Sequence, residues 1–163
     1  IATSVVDSLC QLGLLESTTD EIAISALGEC VARHGVDPVA MAKIVANLPP
    51  NPCYQHVLET VCGCSEFDDL RITVGQKGVL NELNKNACLR FKVASRIDSV
   101  QHKVFILIQY GLQRQTLPSS KYSSGLASDM GRALGLAYGP AMCIRDAYAS
   151  QGNTSGVLAS ATL

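Results

Sequence analysis

Apolar residues at 5, 6, 9, 10 and 12 fall at helical spacing, and Gly13 ends that run. Leu14-Leu15-Glu16-Ser17 and Ile22-Ala23-Ile24-Ser25 are short apolar runs around the turn Thr18-Thr19-Asp20, which predicts a β-hairpin. A helix follows over 26–33, with Ser25 as its cap. Helix, hairpin and short helix are the parts of the second half of a winged-helix domain, although many folds contain them. Asp37-Pro38 predicts the next helix start, an N-cap followed by proline in the first turn, and the pattern carries that helix to about Leu48. Pro49-Pro50-Asn51-Pro52 breaks the chain stiffly. Further helices are expected over 53–62 and 74–84, with a link at 65–70 and a short extended piece at 90–93. Residues 102–112 form a strongly apolar helix, expected at the centre of the core. After a polar loop at 115–124, a long helix fits 124–149, kinked at Gly139-Pro140, and 156–163 reads as a buried helix.

Composition adds a limited set of exclusions. Hydrophobic residues make up 47% of the 163, enough to bury a core and too many for a disordered tail. The longest apolar stretches fall short of the ~18 residues a membrane helix needs, so no membrane partner is expected. Ile1 in place of methionine, and an apolar run still open at Leu163, make the chain read as a piece of a larger protein. Seven cysteines at irregular positions do not make a disulfide framework and read as reduced thiols, several of them in the core. Cys62 and Cys64, near Cys53 and His56, lack the second ligand pair of a structural zinc site, so no metal is expected. No phosphate-binding loop, nucleophile elbow or His-Glu-x-x-His pattern is present, and no catalytic residue is assigned. His34, His56 and His102 lie in unrelated segments, and Asp68-Asp69 sits in a link. Net charge is −1, but 1–70 carries −8 and 71–163 carries +7, counted from Lys, Arg, Asp and Glu. Such a split fits either a polyanion-facing second half or two halves that attract each other.

Several runs carry a family resemblance: Glu66-Phe67-Asp68-Asp69-Leu70-Arg71-Ile72, Gln76-Lys77, Leu80-Asn81-Glu82-Leu83-Asn84-Lys85, Leu89-Arg90-Phe91, and the run from Lys103 to Leu112. Together they resemble the Sec-sixty-three homology region of the meiotic crossover-promoting DNA helicases of superfamily two. The likeness implies a mainly α fold: the C-terminal part of a winged-helix domain at 1–36, then the N-terminal part of a helical-bundle domain at 37–163. It implies a nuclear parent protein whose motor domains, joined in cis, use ATP and magnesium, while this segment holds no cofactor. It also implies single-stranded or branched DNA as a partner, with meiotic recombination or mismatch-repair-type proteins as further partners. Where the family commonly has Glu-Lys, this chain has Gln76-Lys77, one possible ion pair fewer.

In that class a long helix lies along the single strand as a ratchet, and 124–149 is the matching segment. Arg132 matches the arginine that contacts the strand. The aromatic position falls at or beside Gly139, with Tyr138 as neighbour. Lys121 and Arg145, beside and on the same helix, complete the candidate nucleic-acid-binding set. The residues give their own partial account. Gly131, Gly135 and Gly139 recur every fourth position, and each costs up to ~1 kcal/mol against alanine in a helix interior. Either a neighbouring helix packs closely there or a strand approaches. Two functions therefore stand side by side: an accessory segment guiding single strands past a motor, or a protein-interaction module docking recombination partners. An RNA helicase would share the same domain, since no 2′-hydroxyl reader is identifiable.

Overall fold

A computed structural model describes residues 2–18 and 21–161, with side chains from residue 5 onward. Among these, eight α-helices and one two-stranded hairpin make the mainly helical fold the sequence predicts. The helices are α1 (Ala2–Gln11), α2 (Ala26–His34), α3 (Pro38–Ala46), α4 (Tyr54–Cys62), α5 (Gln76–Lys85), α6 (Val100–Leu112), α7 (Ser123–Ser150) and α8 (Thr154–Ala161). Strands β1 (Leu15–Ser17) and β2 (Ile22–Ile24) pair antiparallel, Leu15 opposite Ile24 and Ser17 opposite Ile22. Thr19 and Asp20 of the expected turn, and 162–163 of the last helix, lie outside the described residues. The chain divides into two compact units. One comprises 1–57 and 139–163, the other 58–138.

In the discontinuous unit, local chemistry sets the element ends. Ser25 accepts from Gly28 N at 3.0 Å as the N-cap of α2 and donates to Gly13 O at 2.6 Å, tying the helix start to the end of α1. Gly28 is needed there, because a Cβ would stand 2.1 Å from Leu14 O. Asp37 caps α3 by accepting from Ala40 N at 2.7 Å, with Pro38 in the first turn. That helix ends at Ala46, two residues before the expected end, with Asn47 as its C-cap. Further along, Tyr148 donates to Pro49 O at 3.0 Å and Asn153 to Pro50 O at 2.5 Å, so the proline break is fastened rather than loose. Gly156 lets α8 sit against the Tyr148 ring. Only part of α8 is buried as expected: Gly156 and Ser160 are, but Leu158 is 69% exposed.

The continuous unit has an apolar core of Leu80, Leu83, Leu89, Ile97, Ile106, Leu107, Tyr110 and Leu126. Helix α6 is its centre, buried without interruption from Lys103 to Tyr110. Leu112, expected in that core, is exposed at the helix end. Ser99 caps α6 by accepting from His102 N at 3.2 Å, which starts the helix at Val100, earlier than the pattern predicted. Helix α5 starts at Gln76 rather than Val74, whose side chain is exposed, and 65–70 holds a short 3-10 turn at Ser65–Phe67. No strand forms at 90–93, where an extended piece was expected. Side-chain amides hold that segment instead. Asn84 donates to Val93 O at 2.8 Å and accepts from Val93 N at 2.9 Å. Gln109 does the same for Phe91, at 3.0 and 2.9 Å. Asn81 accepts from Ile97 N at 3.2 Å. Each buried backbone group would otherwise cost the price of a lost hydrogen bond, so three amides replace the missing sheet neighbour.

Candidate nucleic-acid interface

The long helix α7 runs on through Pro140, and its first part, up to Tyr138, belongs to the continuous unit. Leu126, Ala133 and Ala137 on one side of this part are buried. Leu134 lies against Gly111 of α6, where a Cβ would come within 2.6 Å of it. Gly75 lies more closely still against the Tyr122 ring just before the helix, a Cβ there coming within 1.9 Å of it. The opposite side, Ser124, Ser128, Gly131, Gly135 and Tyr138, is exposed.

The glycines divide sharply along this helix. A Cβ built on Gly131 or Gly135 meets nothing within 4 Å. One built on Gly139 stands 2.9 Å from Val36 Cγ1 and 3.0 Å from His34 O. Among the described residues, packing therefore compensates the third glycine and not the first two. Arg132 is exposed beside the open glycines and makes no ion pair among the described residues. Tyr138 is 64% exposed at the end of the same stretch. Lys121 is exposed, its ammonium 5.0 Å from the centre of the Tyr122 ring. These three belong to one unit, whose sequence carries a net +3 from Lys, Arg, Asp and Glu.

Arg145 stands apart, in the discontinuous unit, where the same count gives −4. Its Nε and Nη2 donate to Asp146 Oδ1 at 2.8 and 2.5 Å. Asp146 Oδ2 also meets His34 Nε2 at 3.5 Å and Arg33 Nη1 at 3.8 Å, and accepts from the Cys30 thiol at 3.7 Å. Burial alone would raise the Asp146 pKa, but the Arg145 guanidinium, with help from His34 and Cys30, holds it below the usual carboxylate range. Burial, and then that carboxylate, push the Cys30 thiol up. A thiol shifted this way is a poor nucleophile. The cluster of Cys, His and Asp thus joins α2 and α7 through the Asp146 carboxylate.

One polar centre was not legible in the sequence. Lys103, fully buried in the apolar run of α6, donates to Asp129 Oδ2 at 2.6 Å, Gln76 Oε1 at 2.9 Å and Arg71 O at 3.0 Å. Gln76 in turn donates to Asp129 Oδ2 at 3.3 Å and accepts from Thr73 N at 3.3 Å. All three ammonium protons are used, and one carboxylate balances one cation. A glutamate at 76 would add a second negative charge here and remove the amide donor, so glutamine suits a site already neutral. Asp129 is one turn before Arg132. The pair thus ties α7 to α6 on the side away from its exposed face.

No group of three or more His, Cys, Asp or Glu able to hold a metal occurs among the described residues. None of the seven cysteines is in a disulfide, and Cys30, Cys62, Cys64 and Cys143 are buried. No helix among the described residues is long and apolar enough to cross a membrane.

Residues 24–163 match the family model of the Sec63 Brl domain. The match covers most of the chain, and the chain belongs to that family, a helicase-associated accessory domain. A search of curated proteins found no match.

Proposed function

We propose that the chain is a non-catalytic accessory segment of an ATP-dependent DNA helicase of meiotic recombination, and that it guides single-stranded DNA past the motor along the first part of α7. The observation that carries this reading is the uncovered face at Gly131 and Gly135, flanked by exposed Arg132 and Tyr138. Two glycines in a helix interior cost stability, and nothing among the described residues packs on them to offset that cost. Close approach by a sugar–phosphate backbone would. Arg132 would then supply the charge and Tyr138 a face on which a base stacks. In this reading ATP and magnesium belong to motor domains carried in cis, and the parent acts in the nucleus with recombination or mismatch-repair-type proteins. The winged-helix assignment of 1–36 belongs to the same reading.

The test is single-strand binding by the chain across a salt series. Replacing Arg132 by Ala should weaken binding and flatten the slope of log affinity against log salt by about 0.7, one phosphate contact. An unchanged slope with unchanged affinity refutes the reading. A second reading, a protein-docking module, draws on Ile22 and Ile24, which share one face of the hairpin and are both more than half exposed. It predicts that substituting these two by Thr abolishes capture of recombination proteins and leaves strand binding unchanged.

A further inference from the structure

Between α5 and α6 the chain from Lys85 to Arg96 carries four cations, Lys85, Arg90, Lys92 and Arg96, and no acidic residue. All four side chains are exposed. Lys85, Lys92 and Arg96 make no ion pair among the described residues, and the Lys92 ammonium donates to the backbone carbonyl of Lys85 at 3.1 Å. The Arg90 guanidinium lies 5.2 Å from the centre of the Phe91 ring, whose residue is half-buried. The backbone here has no regular structure, yet it is fixed. Asn84 clamps Val93 from both sides, Gln109 clamps Phe91 likewise, and Asn81 receives Ile97 N. Leu89 and Ile97 anchor the segment in the core. Like charges held at close quarters repel each other, and an unclamped loop would spread them. Here the amide clamps and core anchors fix the backbone that carries them.

We propose that this clamped loop is a second nucleic-acid contact, gripping the sugar–phosphate backbone independently of α7. A fixed array of cations suits the regular negative spacing of a phosphate chain. Arginine and aromatic together suit a stacked base. A membrane surface fits less well, because none of the exposed large hydrophobic residues lies in this segment and nothing there would insert among lipids. The proposal extends the helicase reading to a second site, but it stands on separate residues and can succeed or fail without Arg132.

The experiment uses the full chain with Lys85, Lys92 and Arg96 replaced together by Gln, and fluorescent single-stranded oligothymidylate as probe. Anisotropy across a salt series should show weaker binding and a log–log slope flatter by about 2, three contacts at about 0.7 each. Replacing Arg90 by Lys should keep the slope, because the charge remains. The thermal midpoint of the triple variant should stay near that of the parent chain, since the replaced side chains are exposed. A slope unchanged in a folded triple variant overturns the proposal, and so does absence of binding by the parent chain. Polyglutamate competing as well as the oligonucleotide would also overturn it, showing a general polyanion or acidic-protein surface. If the triple variant flattens the slope while Arg132→Ala does nothing, the loop stands and the α7 reading falls; the opposite pattern reverses that outcome.

Discussion

The two parts of α7 share one helix and one glycine spacing, yet they solve different problems. In the second part, Gly139 receives Val36 and the carbonyl of His34, Arg145 is held by Asp146, and Tyr148 reaches Pro49. In the first part, Gly131 and Gly135 face open space, and Arg132 lies exposed beside them. A periodic glycine stripe is therefore not one feature. Its meaning depends on whether the chain itself fills the space each missing side chain leaves. Where it does, the glycine is a packing residue; where it does not, the helix bears the glycine penalty uncompensated.

The contrast rests on the anchoring of the first part, and the largest expected effect is there. Replacing Lys103 by Met leaves the Asp129 carboxylate facing a buried, uncompensated site; loss of one partner of such a pair typically costs 3–5 kcal/mol. Asp129 keeps some exposure, so the lower end, about 3 kcal/mol, is expected in urea unfolding. A midpoint unchanged would remove Lys103 as the anchor of α7. Leu107→Ala, fully buried in the same helix, should cost on the order of 2–5 kcal/mol and serves as the apolar control.

Next comes the packed glycine. Gly139→Ala forces a Cβ against Val36 Cγ1 and a backbone oxygen, and overpacking of this kind typically costs 1–3 kcal/mol. Calorimetry should show a lower melting temperature; a higher one would mean that Gly139 is as open as the other two. A smaller effect tests the Asp146 joint. Its pKa is lowered on folding, so its stabilisation is fully present above the unfolded aspartate value near 3.9 and is lost as pH falls through the lower folded value. Asp146→Asn should therefore reduce stability at neutral pH and bring the variant and parent curves together in acid. Parallel curves throughout that range would show that the carboxylate's charge is not what holds the joint.

Local features were legible in the sequence because their physics is local. Ser25, Asp37-Pro38 and the proline break each act within a few residues, and each does what its residue type predicts. Charge balance across the core was not legible. Lys103 lies inside the run 102–112 read as apolar, and its partner Asp129 is 26 positions away, with Gln76 as a third member in another helix. The piece at 90–93 was expected to be extended, but its hydrogen bonds go to side-chain amides rather than to a strand. Apolar patterns also deceived: Leu112 at the end of α6 and Leu158 within α8 continue runs that burial does not follow. Of the four candidate residues, Lys121, Arg132 and Tyr138 fall in one unit and Arg145 in the other, a division that helix spacing alone does not reveal.

The central claim, that the open side of α7 is kept bare for a strand, predicts opposite signs for stability and binding. Gly131→Gln with Gly135→Gln places two long, helix-favouring side chains where nothing lies within 4 Å. The double variant should unfold at higher urea, by roughly 1–2 kcal/mol from the glycine penalty alone. Single-strand affinity, measured on the same sample, should fall. Greater stability with undiminished affinity would contradict the claim, because the glycines would then be excluding nothing that binds.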